Sequence, residues 1–214
     1  MPPEIVLLTA FVVAVAAVAL TGWMGRVAGV ESAWLGCGLH VLLAGFGGAG
    51  AAAIATTWVE TVTFAALALA CALLVVIDQA SFRLPNVIIG PTYLVLLGGL
   101  TAAAAMSGDW ERLGRAAAGG GVLLVVYFAL AWVNPSGLGL GDVKLSGLLG
   151  AFLGWFGWPH VFAGTMAGFL LSGLVGVVIL ITRRGGLKSD FPFGPWMILG
   201  AAGGLTWAFV VAGG

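Results

Sequence analysis

Gly139-Leu140-Gly141-Asp142-Val143-Lys144 is a charged knot set between two apolar runs, residues 116–133 before it and residues 143–158 after it. At about 1.5 Å per residue, a helix needs about 18 to 20 residues to cross a hydrocarbon core. The first run meets that length and the second is a short span. Both are continuous in apolar character, whereas a membrane barrel strand has about ten residues of alternating polarity. The stretch therefore reads as two membrane helices joined by a polar turn, with an aspartate where the second begins.

Composition extends this reading to the whole chain. Of 214 residues, 61% are hydrophobic and 7% charged, and the mean hydropathy is +1.15; an ordinary soluble domain is roughly a quarter charged. No polar block is long enough for a separate soluble domain, so residues 1–214 are expected to form one all-α, polytopic membrane bundle. A net charge of zero gives no pull toward nucleic acid. Cys37 and Cys71 lie in apolar runs without a Cys-x-x-Cys partner and read as small packing residues. His40 and His160 have no ligand partner at metal spacing and read as packing or interface residues, so no metal or cofactor is expected.

Eight spans emerge in order. The first is Ile5 to Gly22; Glu4, with no Lys or Arg beside it, argues for a spanning helix over a signal peptide. Trp23 to Arg26 and Glu31-Ser32 form a polar link to a second span, about Ala33 to Thr57. A third, about Val59 to Ile77, ends on Asp78. Pro85 is placed to open the fourth, about Asn86 to Met106. Asp109, Glu111, Arg112 and Arg115 read as a solvated turn before the fifth, about Ala116 to Val133, whose Gly119-Gly120-Gly121 admits a close neighbour. Asn134-Pro135-Ser136-Gly137 breaks it. The sixth runs from about Val143 to Trp158 and the seventh from about Val161 to Thr182, followed by the polar link Gly185 to Asp190. The last starts at Phe191-Pro192-Phe193-Gly194-Pro195.

Cytoplasmic loops carry the Lys and Arg excess. In this topology Arg26, Arg83, Lys144, Arg183, Arg184 and Lys188 share one side, against Arg112 and Arg115 on the other. Both termini are then non-cytoplasmic, and Asp78 and Asp142 share the cytoplasmic edge. Arg83 reads as an anchor to lipid phosphate, and Arg183, Arg184 and Lys188 as topology signals.

A carboxylate in hydrocarbon costs about 2.5 to 3.5 kcal/mol on insertion scales, so two at helix ends mark functional positions. Facing each other, they would share one proton, the ionised member taking a proton from water and the protonated member polarising a carbonyl. Asp142 sits at a helix start, where the macrodipole favours its charge, with Lys144 close by in sequence; Asp78 sits at a helix end, where it does not. Asp142 is thus expected to be the resting base and Asp78 the resting acid. Gly139 and Gly141 leave room for a substrate backbone beside Asp142, and either could take a positive φ.

These residues resemble a known pattern. Gly139-x-Gly141-Asp142-x-Lys144 is similar to the Gly-x-Gly-Asp motif of intramembrane aspartyl proteases, and its context resembles the type IV prepilin peptidase family. Asp78 followed by Arg83, Pro85 and Asn86 looks like that family's first aspartate motif. Ala118-Gly119 and Pro192-Phe193-Gly194-Pro195 are similar to two further elements, and Trp23 to Arg26 is a weaker echo. The resemblance covers residues 74–200 best. The Pro-Ala-Leu motif of presenilin-like enzymes is absent.

The resemblance implies an endopeptidase of the inner membrane that removes the basic leader of type IV prepilins or pseudopilins. Cleavage would fall after a glycine at the cytoplasmic face, just before the substrate's hydrophobic helix. Asp78 and Asp142 are carried over as the catalytic pair, with no metal. Gly139, Gly141, Lys144, Pro85, Asn86, Phe193, Gly194 and Pro195 are the candidates for shaping the site or meeting substrate. Many members insert a cytoplasmic domain with paired Cys-x-x-Cys between the first two spans and also N-methylate the product. Here the link is about Trp23 to Ala33, so peptidase activity alone is expected. The rival class is a small transporter or channel whose aspartates bind protons or cations; it predicts acids at mid-membrane depth and inverted repeats.

Overall fold

Thr57 starts the helix that carries the first acid. Its hydroxyl accepts the Glu60 N–H at 3.2 Å, and Thr57-x-x-Glu60 has the spacing of a capping box. From there α4 (Trp58–Ser81) continues without a proline or glycine to weaken it.

The protein is described by a computed structural model over residues 1–134, 137–182 and 192–212, with side chains throughout these except Leu180 and residues 208–212. Pro135, Ser136, Arg183, Arg184, Lys188, the Gly185 to Asp190 link and Phe191, all read from the sequence, lie outside the described residues. Among the described residues the regular structure is entirely helical: α1 (Pro3–Ala28), α2 (Ala33–Gly36), α3 (Leu39–Ile54), α4, α5 (Asn86–Ser107), α6 (Trp110–Val133), α7 (Leu140–Phe156), α8 (Trp158–Ile181) and α9 (Gly194–Ala212). Five of them, α1, α4, α5, α6 and α8, are long and apolar enough to cross a membrane. α3 is shorter at 16 residues, and α7 has 17.

Several boundaries differ from the sequence reading for local reasons. The Trp23 to Arg26 segment belongs to α1, which runs on until Gly29 takes a left-handed φ of 65° and its N–H bonds the Gly25 carbonyl. The expected second span is broken at Cys37-Gly38, where Gly38 at φ 72° caps α3 and separates it from the single turn of α2. Cys37 is exposed there, unlike the packing residue expected, and Cys71 is buried. The expected turn of Asp109 to Arg115 is mostly helix: Asp109 Oδ1 accepts the Arg112 N–H at 3.1 Å, so α6 starts at Trp110.

The chain divides inside α6 into two units, Met1–Leu113 and Gly114–Gly214. In the first, α1, α3 and α4 meet through small residues. Val13, Ala17, Ala44 and Ala72 form a buried cluster. A Cβ on Gly47 would stand 2.9 Å from that of Ala68, and one on Gly48 would stand 3.0 Å from that of Val13. Between apolar helices in lipid, such close backbone approach is what drives association. His40 is buried and its Nε2 lies 2.8 Å from Thr21 Oγ1 of α1, in keeping with a packing role.

In the second unit, Cβ atoms added to Gly119 and Gly120 would fall 2.6 Å and 2.9 Å from the carbonyl oxygens of Gly150 and Gly147 on α7. The glycine run thus does admit a neighbour, at two of its three positions; Gly121 has open space. Gly164 and Gly168 of α8 and Gly200 and Gly204 of α9 meet backbone to backbone in the same way.

Candidate active site

Asp78 belongs to the first unit. Every residue of α4 from Ala70 to Asp78 is buried, so this part of the helix is covered on all faces, and Asp78 is 4% exposed. It sits in the last turn of α4, where the carbonyl end of the helix dipole opposes negative charge. The helix ends because Phe82 takes φ 52°, its N–H bonding the Asp78 carbonyl at 2.8 Å. A non-glycine residue in the left-handed region costs roughly 1 kcal/mol, and such strain clusters at functional sites. Arg83 is exposed, and Pro85 is half-buried with φ −71°. Pro85 caps α5, its carbonyl accepting the Ile88 and Ile89 N–H groups, and the exposed Asn86 is the first helical residue. The sequence expectation that Pro85 opens α5 holds to within one position.

The second unit carries Asp142. Gly139 is the N-cap of α7, with its carbonyl accepting the Asp142 and Val143 N–H groups at 3.1 Å and 3.3 Å. In return the Gly139 N–H donates to Asp142 Oδ2 at 3.1 Å. Asp142 is therefore tied at the third position of the helix, where the free N–H groups and the dipole favour its anion; its half-burial works the other way. Gly139 has φ −76° and ψ 153°, and the positive-φ glycines among the described residues are Gly29, Gly38, Gly108 and Gly157. The expected positive φ at Gly139 or Gly141 is thus corrected: an N-cap is extended and Gly141 is already helical. Closeness explains Gly139 better, since a Cβ there would stand 3.3 Å from Asp142 Oδ2. Lys144 is exposed one turn into α7.

Phe193 precedes α9 and accepts the Trp196 and Met197 N–H groups on its carbonyl, with Gly194 and Pro195 buried in the first turn. Its ring packs on Tyr127 of α6, centroids 6.2 Å apart, and on Phe169 of α8 at 5.8 Å. Tyr127 and Phe169 stack at 5.4 Å with planes 24° apart. The structure thus joins the Pro-Phe-Gly-Pro element to α6 and α8 through aromatic contact. Among the described residues no three His, Cys, Asp or Glu side chains cluster at metal-binding distance.

Sequence reasoning passed over two residues. Tyr127, one of two tyrosines, is buried in the unit that holds Asp142. Glu60 is 2% exposed and paired with Arg112 at 3.3 Å. The Thr57-x-x-Glu60 spacing was a visible signal for the latter; only the lone polar group in an apolar helix pointed to the former.

The profile of the type IV leader peptidase family matches residues 64–181. A prepilin leader peptidase/N-methyltransferase of Aeromonas salmonicida is 33% identical over 156 residues, 68% of this chain and 50% of the relative. One of Aeromonas hydrophila is 31% identical over 152 residues, with the same shares. The leader peptidase HopD of Salmonella typhimurium is 36% identical over 93 residues, 44% of this chain and 57% of that protein. The chain spans about half the length of the first two relatives. No solved structure matches. With the profile covering more than half of the chain, including both aspartates, this protein belongs to the type IV leader peptidase family.

Proposed function

We propose that this protein is an intramembrane aspartyl endopeptidase that removes the leader peptide of type IV prepilins or pseudopilins at the cytoplasmic face of the inner membrane. The observation that carries the reading is the Gly139-x-Gly141-Asp142 turn, in which a backbone N–H holds the carboxylate at the start of α7 in a member of this family. The names of the relatives supply the substrate class.

Asp78 and Asp142 act as a dyad. Asp142, at a helix start, is the resting base and takes a proton from water as its oxygen attacks the scissile carbonyl carbon. Asp78, at a helix end, is protonated and donates to the developing oxyanion. The proton held by Asp142 then passes to the leaving nitrogen as the C–N bond breaks, and the diol returns a proton to Asp78 as the carbonyl reforms, which restores the dyad. Both acids titrate as one unit, so the roles describe the resting state.

Eight helices, α1 and α3 to α9, span the bilayer with both termini non-cytoplasmic, and the Lys and Arg excess supports this orientation. Gly139 and Gly141 keep the approach to Asp142 open. Pro85 and Asn86, Lys144, and Phe193 to Pro195 shape the surroundings of the two acids. The link from α1 to α3 contains one cysteine, Cys37, and no Cys-x-x-Cys pair, which supports cleavage without N-methylation.

Coexpression with a prepilin tests the reading. Wild type shortens the prepilin by its leader and leaves an unmethylated terminus, as read by mass spectrometry. Asp78→Asn and Asp142→Asn each abolish shortening; undiminished cleavage by either variant would falsify the dyad.

A further inference from the structure

α6 and α7 run antiparallel with a regular register. A Cβ on Gly154 would meet the Arg115 carbonyl oxygen at 2.6 Å, and one on Gly150 would meet that of Gly119 at 2.5 Å. Ser146 Oγ donates to the Leu123 carbonyl at 3.2 Å. Each step moves four residues forward on α6 and four back on α7, which keeps to the facing stripe of both helices. Extended by one further step, the same register would set Tyr127 opposite Asp142.

Other observations agree with that step. Tyr127 is 2% exposed, and its phenol lies within electrostatic reach of the Asp142 carboxylate. Its ring packs in a three-ring cluster with Phe169 and Phe193. A buried phenol seeks a hydrogen-bond partner, and a carboxylate is the strongest acceptor its register offers.

We propose that Tyr127 is a positioning residue for Asp142, its phenol O–H donating to the carboxylate from the α6 side while the Gly139 N–H holds it from the turn. Two donors in different directions fix the plane of the carboxylate, so that its free lone pair points at the attacking water. Phe193 then acts through Tyr127, by fixing the ring from which the phenol reaches. This rests on the reading of Asp142 as catalytic.

The test uses the full chain in detergent, a purified prepilin and Tyr127→Phe, which keeps the ring and its stacking. Losing one hydrogen bond to a charged group is expected to lower kcat by about 10- to 100-fold with KM within about twofold. Affinity for a prepilin peptide carrying a statine isostere at the scissile bond should fall by the same factor. Affinity for the uncleaved leader peptide should hold, and the ratio of the two affinities does not depend on the folded fraction. Phe193→Leu should lower kcat in wild type and have little further effect in the Tyr127→Phe background. Wild-type kcat in Tyr127→Phe overturns the proposal, and so does a raised KM at unchanged kcat, which would make Tyr127 part of the substrate wall. Cleavage by Asp142→Asn would instead sink the underlying reading, so the two failures are told apart.

Discussion

Arg112 Nη1 lies 3.3 Å from Glu60 Oε1, joining the first turn of α6 to the first turn of α4 within the first unit. The other carboxylate oxygen, Glu60 Oε2, accepts the Thr56 N–H and Oγ1–H, each at 2.7 Å. Glu60 is buried and Arg112 is partly exposed, so the guanidinium offsets a desolvated charge. Arg112→Gln should lower unfolding stability by about 2 to 3 kcal/mol, toward the low end for breaking a buried pair. Thermal unfolding in detergent reads this out, and a change below about 0.5 kcal/mol would show that the pair is incidental.

Gly139→Ala separates conformation from contact. The backbone there is extended at φ −76°, which any residue adopts, so stability should change by less than about 0.5 kcal/mol. The added methyl would press on Asp142 Oδ2, so prepilin cleavage should fall clearly. Equal loss of stability and activity would contradict this account.

The glycines of α6 should differ in their tolerance. A Cβ on Gly119 would meet backbone of α7, which cannot rotate away, so Gly119→Ala should cost about 1 to 3 kcal/mol. Gly121 faces open space, so Gly121→Ala should be neutral or stabilising by up to about 1 kcal/mol. Paired melting curves decide; a common response of both variants would refute the α6–α7 packing.

Phe82 ends α4 in the left-handed region, and Phe82→Gly should relieve that strain by about 1 kcal/mol. The side chain is 53% exposed, so little packing is lost. A raised thermal midpoint is the expected reading, and a drop would mean that the ring is held by contacts worth more than the strain.

Cys37 and Cys71 report on topology. Cys37 is exposed between α2 and α3, on the side proposed to be cytoplasmic, and Cys71 is buried within α4. A membrane-impermeant thiol reagent should label Cys37 in inverted vesicles only, and Cys71 in neither orientation. Labelling of Cys37 in right-side-out vesicles would reverse the proposed orientation.

Much of the site is legible locally. Pro85 before Asn86, and Gly139 three residues before Asp142, act through the nearest turn of chain, so their spacing already defines helix starts and the depth of the acid within each helix. Boundaries are less legible where one glycine decides them: Gly25 stays helical while Gly29 and Gly38 turn left-handed. Charge also misled at Arg112, whose partner lies 52 residues earlier and turns an apparent solvated loop into a buried contact.

The sequence by itself determined that this is an all-helical protein with several helices apolar enough to span a membrane, with an aspartate near the end of one helix and another at the start of a second. Apolar run length and helix-terminal chemistry are properties of contiguous residues, so nothing distant can alter them. Only the tertiary structure decided that glycine faces seat α6 on α7, Gly119 against Gly150 and Gly154 against Arg115, and that Phe193 packs on the Tyr127 ring. Those relations depend on how closely two backbones approach, which small residues permit but whose partner no single run of sequence specifies.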